Sequence, residues 1–140
     1  MKLTIAKILG LSDKPQDDSW DYWVLQARQG IPKRALMHYL TTLHASLAEA
    51  EKVLPISART LQRYPMGKIF NSHLSGHVVA LAKVFSRAVE VFEDQGKARH
   101  WLRNPCRALG MVVPFSLLDS PMGIQAVEDE LERIENGVYF

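Results

Sequence analysis

Apolar side chains recur at intervals of three and four residues over most of this chain, and no stretch shows the two-residue alternation of a half-buried strand. An all-α fold is expected. Trp20, Trp23, Val24 and Ala27 mark the apolar side of a short helix that Gly30 stops. Pro32 stands at a first helical position, where its missing N–H would be unpaired anyway, and Leu36, Tyr39, Leu40 and Leu43 follow at helical spacing. Ser46-Leu47-Ala48-Glu49 has the form of a capping box and opens a helix to about Val53. Leu54-Pro55-Ile56 leaves room only for a tight turn, after which Ser57 caps a helix over 58–64 that Pro65 ends. Leu74-Ser75-Gly76 opens the longest helix, to about Glu93, with Val78, Leu81, Phe85 and Val89 on one side. Gln95-Gly96 breaks it, and a further turn or two runs over 97–103. An irregular, mostly apolar linker should occupy 109–114. Ser120-Pro121 then starts a last helix on which Ile124, Val127, Leu131 and Ile134 repeat at three, four and three, closed by Asn136-Gly137. Residues 1–17 lack a sustained period and are expected to form a flexible arm.

The longest helix carries more apolar residues than one small core would use. Val79, Val84 and Val91 lie beyond its inner set, which predicts a second packing surface and a symmetric homodimer through those three valines. With 140 residues, the chain has room for one domain or two very small ones, and 47% hydrophobic with 23% charged residues excludes a disordered or fibrous chain. No apolar run approaches the roughly 18 to 20 residues that cross a bilayer, and the apolar stretch near Met1 is too short for a signal peptide. A cytoplasmic protein with no membrane partner is expected. Cys106 is the only cysteine, which excludes an internal disulfide framework and a multi-cysteine zinc site, and a buried thiol is its plainest reading.

The net charge of +2 says little until it is divided along the chain. Residues 1–70 hold ten Lys and Arg against six Asp and Glu, whereas residues 71–140 hold seven against nine. The stretch 54–70 carries Arg59, Arg63 and Lys68 with no acid. Helix, tight turn and helix over 46–64 has the form of a helix-turn-helix, whose second member enters the DNA major groove. Arg59, Gln62 and Arg63 then share an exposed face at i, i+3 and i+4, suited to guanine and adenine edges. Ser57 and Thr60 at the helix start offer N–H and hydroxyl groups to a phosphate. The alternative is a solvated basic helix in an ordinary bundle.

Catalytic chemistry has no footing in the pattern. No phosphate loop, dinucleotide fingerprint or nucleophile elbow occurs, and the isolated His38, His44 and His100 lack a nearby acid or nucleophile. His73 and His77 could share a helical face only if the helix began before Ser75, and no third metal ligand accompanies them. Neither an enzyme, nor a cofactor, nor a metal site is expected. Glu128, Asp129, Glu130, Glu132 and Glu135 read as the solvated side of the last helix.

A family resemblance lies in the C-terminal 40 residues. Trp101-Leu102-Arg103-Asn104-Pro105, Ala108-Leu109-Gly110, Pro114-Phe115-Ser116-Leu117-Leu118-Asp119-Ser120, Gly123, Val127, Leu131 and Arg133-Ile134-Glu135-Asn136-Gly137-Val138-Tyr139 resemble the toxin-binding domain of the Xre/MbcA/ParS antitoxins. Upstream, Leu61-Gln62-Arg63 is similar to the recognition segment of the Xre-like helix-turn-helix in the same family. Cys106, Ser120 and Pro55 depart from the family's usual Asn, Thr and turn residues. After the arm over 1–17, the resemblance implies an Xre-like helix-turn-helix domain with a dimerisation helix over 18–95 and a small helical toxin-binding domain over 96–140. It also implies the partners: a RES-domain toxin that degrades NAD, operator DNA for autorepression, and a second copy of the chain. Arg133, Asn136, Gly137, Val138, Tyr139 and Phe140 are then the expected toxin-binding residues. Extended, 137–140 would reach about 13 Å, enough to enter an active-site mouth, unless Tyr139 and Phe140 fold back over the core. The other reading is a stand-alone helix-turn-helix regulator whose C-terminal part only dimerises or senses a ligand.

Overall fold

The computed structural model describes residues 3–11 and 18–137, and these are all-α. Eight α-helices follow in order among the described residues: α1 Ile5–Leu9, α2 Trp20–Gln29, α3 Lys33–Leu43, α4 Leu47–Val53, α5 Ala58–Arg63, α6 Ser72–Phe92, α7 Gln95–Arg103 and α8 Pro121–Glu135. Two 3-10 turns, Arg107–Leu109 and Pro114–Leu117, join α7 to α8. Extended pairing among the described residues is limited to single bridges, Pro32 with Ile69 and Cys106 with Val112.

Residues 3–11 correct the expectation of a flexible arm over 1–17. They form α1, capped by the Thr4 hydroxyl and closed by Gly10 at φ +62°, and Ile5, Ile8 and Leu9 are buried. His38 bonds the Ile8 carbonyl at 2.8 Å, and the Ser86 hydroxyl donates to the Leu3 carbonyl at 2.7 Å. Five residues cannot hold a helix alone in water, so this one exists by docking, with each fully buried aliphatic side chain contributing ~1.5–3 kcal/mol. Residues 1, 2 and 12–17 of the expected arm lie outside the described residues.

α6 is the centre of the fold, with α1, α2, α7 and α8 packed around it. Its breadth of apolar surface is thereby consumed inside one chain, which corrects the assignment of Val79, Val84 and Val91 to a dimer face. Val84 is fully buried, Val79 nearly so, and Val91 is half-buried against the core. A helix apolar nearly all round is an interior helix. It also starts earlier than expected, at Ser72, because the Asn71 side chain accepts the Leu74 N–H at 2.8 Å. Pro32 likewise caps α3 from just outside rather than opening it.

The hydrophobic core is continuous from Ile8 through Leu36, Leu61 and Phe85 to Leu102, Leu118 and Leu131. It crosses the expected division at 95 and 96 without a break. Cys106 is buried, as expected of a lone structural thiol.

Candidate functional site

Two surfaces carry the residues singled out by the sequence. The first is built on α4 and α5. α4 begins with the expected capping box: the Ser46 hydroxyl accepts the Glu49 N–H at 3.2 Å while Glu49 accepts the Ser46 N–H at 3.1 Å. The turn through Leu54 and Pro55 then delivers α5, which the fully buried Leu61 anchors to the core. Arg59, Gln62 and Arg63 are all exposed on its outer side, with no ion pair among the described residues.

The start of α5 is less open than its sequence implies. The Ser57 oxygen accepts the Thr60 N–H at 3.1 Å and its hydroxyl donates to Thr60 Oγ1 at 2.9 Å. The Ala58 N–H donates to Glu51 Oε1 at 2.8 Å. Ser57 and Thr60 therefore cap the helix, and an acid of α4 fills the first-turn donor that a phosphate would use. Glu51 is seven residues from Ala58, so only the folded turn brings the two together. Beyond α5 the chain is zipped to the start of α3: the Lys33 N–H donates to Lys68 O at 2.7 Å, the Arg34 N–H to Met66 O at 2.9 Å and the Phe70 N–H to Ile31 O at 2.9 Å. Lys33 is itself buried, its ammonium donating to the Tyr64 carbonyl at 2.8 Å. The basic surface thus rests on a rigid frame.

The second surface is the C-terminal region. Cys106 pairs with Val112 through the backbone, so the segment expected to be irregular is a compact turn that leaves Met111 and Val112 exposed. The His77 ring bonds the Leu118 carbonyl at 2.8 Å and holds the end of the Pro114–Leu117 turn to α6. Ser120 caps α8 through the Gly123 N–H. Gly123 is required by a close approach, since a Cβ there would stand 1.8 Å from the Leu117 carbonyl oxygen. α8 docks through its expected seam, with Val127 and Leu131 fully buried and Ile124 and Ile134 half-buried.

The charges of α8 depart from a uniformly solvated face. Glu130 is buried, and Arg133, expected to be free for a partner, donates to it through Nε at 2.9 Å and Nη2 at 2.6 Å. Glu135 takes both ends of the Arg87 guanidinium at 2.6 and 3.0 Å. Those hydrogen bonds hold the Glu135 carboxyl below its ordinary range and raise Arg87 above its own. Asn136 and Gly137 are exposed, whereas Val138, Tyr139 and Phe140 lie outside the described residues. Sequence reading missed Met122, the most exposed large apolar side chain of this region, which stands outside the helical seam that guided it.

His73 and His77 both belong to α6, because the helix begins at Ser72. Among the described residues no group of three His, Cys, Asp or Glu side chains is placed to hold a metal ion. No described helix is long and apolar enough to cross a membrane.

The exposed basic helix α5 and the docked, acid-rich helix α8 give one all-α chain two candidate binding surfaces. Comparison with known proteins makes this class of protein specific. Residues 87–137 match the antitoxin Xre/MbcA/ParS C-terminal toxin-binding domain. The chain is 34% identical over 89 residues to Antitoxin Xre of Photorhabdus laumondii, covering 62% of this chain and 60% of that protein. It is 33% identical over 102 residues to Antitoxin Xre of Yersinia enterocolitica, covering 69% and 68%. A protein named Prs ADP-ribosylating antitoxin, from Sphingobium sp., is 25% identical over 122 residues, covering 80% and 77%. The chain belongs to the Xre/MbcA/ParS antitoxin family.

Proposed function

We propose that this protein is the antitoxin of a two-gene toxin–antitoxin system, that it neutralises a RES-domain, NAD-degrading toxin by covering its active site, and that it represses its own operon. The observation that carries the reading is the match of residues 87–137 to a toxin-binding domain, borne by a region that is folded onto α6. Neutralisation by this chain needs no catalytic group of its own, since the chemistry belongs to the partner. The exposed Asn136 and Gly137, with the tail over 138–140, are the proposed contact, and Met111 and Met122 extend it. Arg133 acts in this scheme by positioning the end of α8 through Glu130.

Residues 18–95 supply the DNA-binding part, with Arg59, Gln62 and Arg63 toward the bases, and residues 96–140 the toxin-binding part. The protein works as a cytoplasmic homodimer, because a palindromic operator is read by two copies. The test is co-expression with the neighbouring toxin gene while following growth and cellular NAD. Protection of both supports the proposal, and NAD loss undiminished by a folded, co-expressed antitoxin overturns it. The Sphingobium relative's name favours a second reading, in which the toxin spends NAD on ADP-ribosylation. In that case cells expressing the toxin alone accumulate an ADP-ribosylated host protein, and co-expression of this chain prevents it.

A further inference from the structure

The exposed apolar surface that α6 lacks is found on α2. Trp20 is 78% exposed and Leu25 51% exposed, and Val24 lies open between them. The outward positions of α2 are 20, 21, 24, 25, 28 and 29, which together form one side of a straight helix. Along the midline of that side stand Asp21 in the first turn and Arg28 in the last, seven residues or about 10 Å apart. Asp21 accepts its neighbour Tyr22's N–H at 3.0 Å, and among the described residues neither Asp21 nor Arg28 makes an ion pair.

The geometry points to α2 as the face through which two copies of this chain associate, with the helices antiparallel across a two-fold axis. This deepens the dimer of the proposed function and rests on it. A two-fold placed between Val24 and Leu25 sets each against its own counterpart. The same operation brings Asp21 of one copy to Arg28 of the other, twice. The pattern of acid, apolar pair and base is thus complementary to itself when reversed, and like charges meet in the parallel arrangement. One ten-residue helix is too small for a stable interface, which needs roughly 1,000 Å² or more. The surface continues, however, at the C-terminal end of α2, where Ile69 packs beside Gly30 and Met66 and Ile69 are both exposed. In the antiparallel pair that end meets the Trp20 end of the partner, so the two apolar extensions cover one another.

The test uses the full-length chain in sedimentation equilibrium, with circular dichroism to establish that each variant is folded. Asp21→Arg gives two bases on the midline and Arg28→Asp gives two acids, so each variant alone should dimerise at least about ten-fold more weakly than the parent. Mixed one to one, the two variants should form a heterodimer of near-parental strength, because both cross-pairs are restored in it. Leu25→Glu, at an exposed site, should give a folded monomer. A parent that dimerises while all three variants dimerise equally well overturns the α2 face and leaves the dimer reading standing. A parent that remains a monomer up to millimolar concentration overturns both.

Discussion

Arg103 of α7 places its Nη2 atom 2.6 Å from Glu49 Oε2 of α4, and the other oxygen of that same carboxylate closes the α4 capping box. One acid therefore ties α4 to α7, 54 residues further along the chain. Arg99 adds a second tie, donating to the Thr42 carbonyl at 3.2 Å. Tyr39 is enclosed beneath them, and burial pushes its phenol above the ordinary range despite the Arg103 charge.

Glu49→Ala removes the cap and the ion pair together and should cost about 1–2 kcal/mol of stability. Glu49→Gln should cost less, because glutamine also serves in a capping box. Urea unfolding of the three proteins measures both, and equal losses for Ala and Gln would show that the cap contributes nothing.

Arg59→Ala and Arg63→Ala should each cost ~1–3 kcal/mol of operator binding if the side chain reads a base. Loss of a phosphate contact would instead weaken binding to all sequences alike and flatten the salt dependence. Ser57→Ala should act differently, destabilising α5 by ~1 kcal/mol through its lost cap. Fluorescence anisotropy at two salt concentrations, beside thermal unfolding, separates these effects. Operator binding unchanged in a folded Arg59→Ala, Arg63→Ala double variant would remove α5 as the DNA-reading element.

Gly123→Ala drives a methyl group into the Leu117 carbonyl. Backbone must move, so a loss of ~1–3 kcal/mol or more is expected in thermal unfolding, with toxin neutralisation impaired as the start of α8 shifts. Gly67→Ala, which meets no atom within 4 Å, is the matched control and should change little.

Deleting residues 138–140 should leave helicity and DNA binding intact, since the last fully buried residue among the described ones is Leu131. Neutralisation should weaken strongly, because aromatic anchors at an interface centre can each be worth ~2 kcal/mol or more. Growth and NAD in cells expressing the toxin measure this. Full protection by the truncated chain at matched levels would move the contact to Met111, Met122 and the turn between them.

Glu135 gains its hydrogen bonds to Arg87 only on folding, which lowers its folded pKa below the unfolded one. The stabilisation is therefore present above the unfolded carboxylate pKa and is lost as pH falls through the folded value. Glu135→Gln should flatten the acid limb of the stability–pH curve while leaving its shape near neutrality unchanged. A variant whose acid limb coincides with the parent's would show that this pair adds nothing.

What the sequence disclosed was what neighbours in the chain decide. The Ser46–Glu49 box, the Ser57 and Ser120 caps, the Val127–Leu131 seam and the exposed row of Arg59, Gln62 and Arg63 all depend on residues within one or two turns, and each is present as expected. What it withheld depends on distance. α1 is too short to show a period and is made by its burial, and the placement of Val84 inside the core could not be read without knowing that several helices surround α6. The Arg103–Glu49 and Arg87–Glu135 ties span 54 and 48 residues, beyond any local pattern. Arg133 is an exception of another kind. Its partner Glu130 stands only three residues away, but the burial that sets the pair's role comes from tertiary packing.

One hydrophobic core runs from the N-terminal helices through α6 to α7 and α8, so the two halves of the chain share the residues that hold them. Under the proposed function, a protease that captures the chain in an opened state therefore removes repressor and inhibitor in a single event. No surviving fragment would keep the operon silent while the toxin runs free. Cellular turnover of this one polypeptide would then set both the rate at which the toxin is released and the rate at which fresh transcript for the pair appears, so recovery would begin at the same moment as the damage.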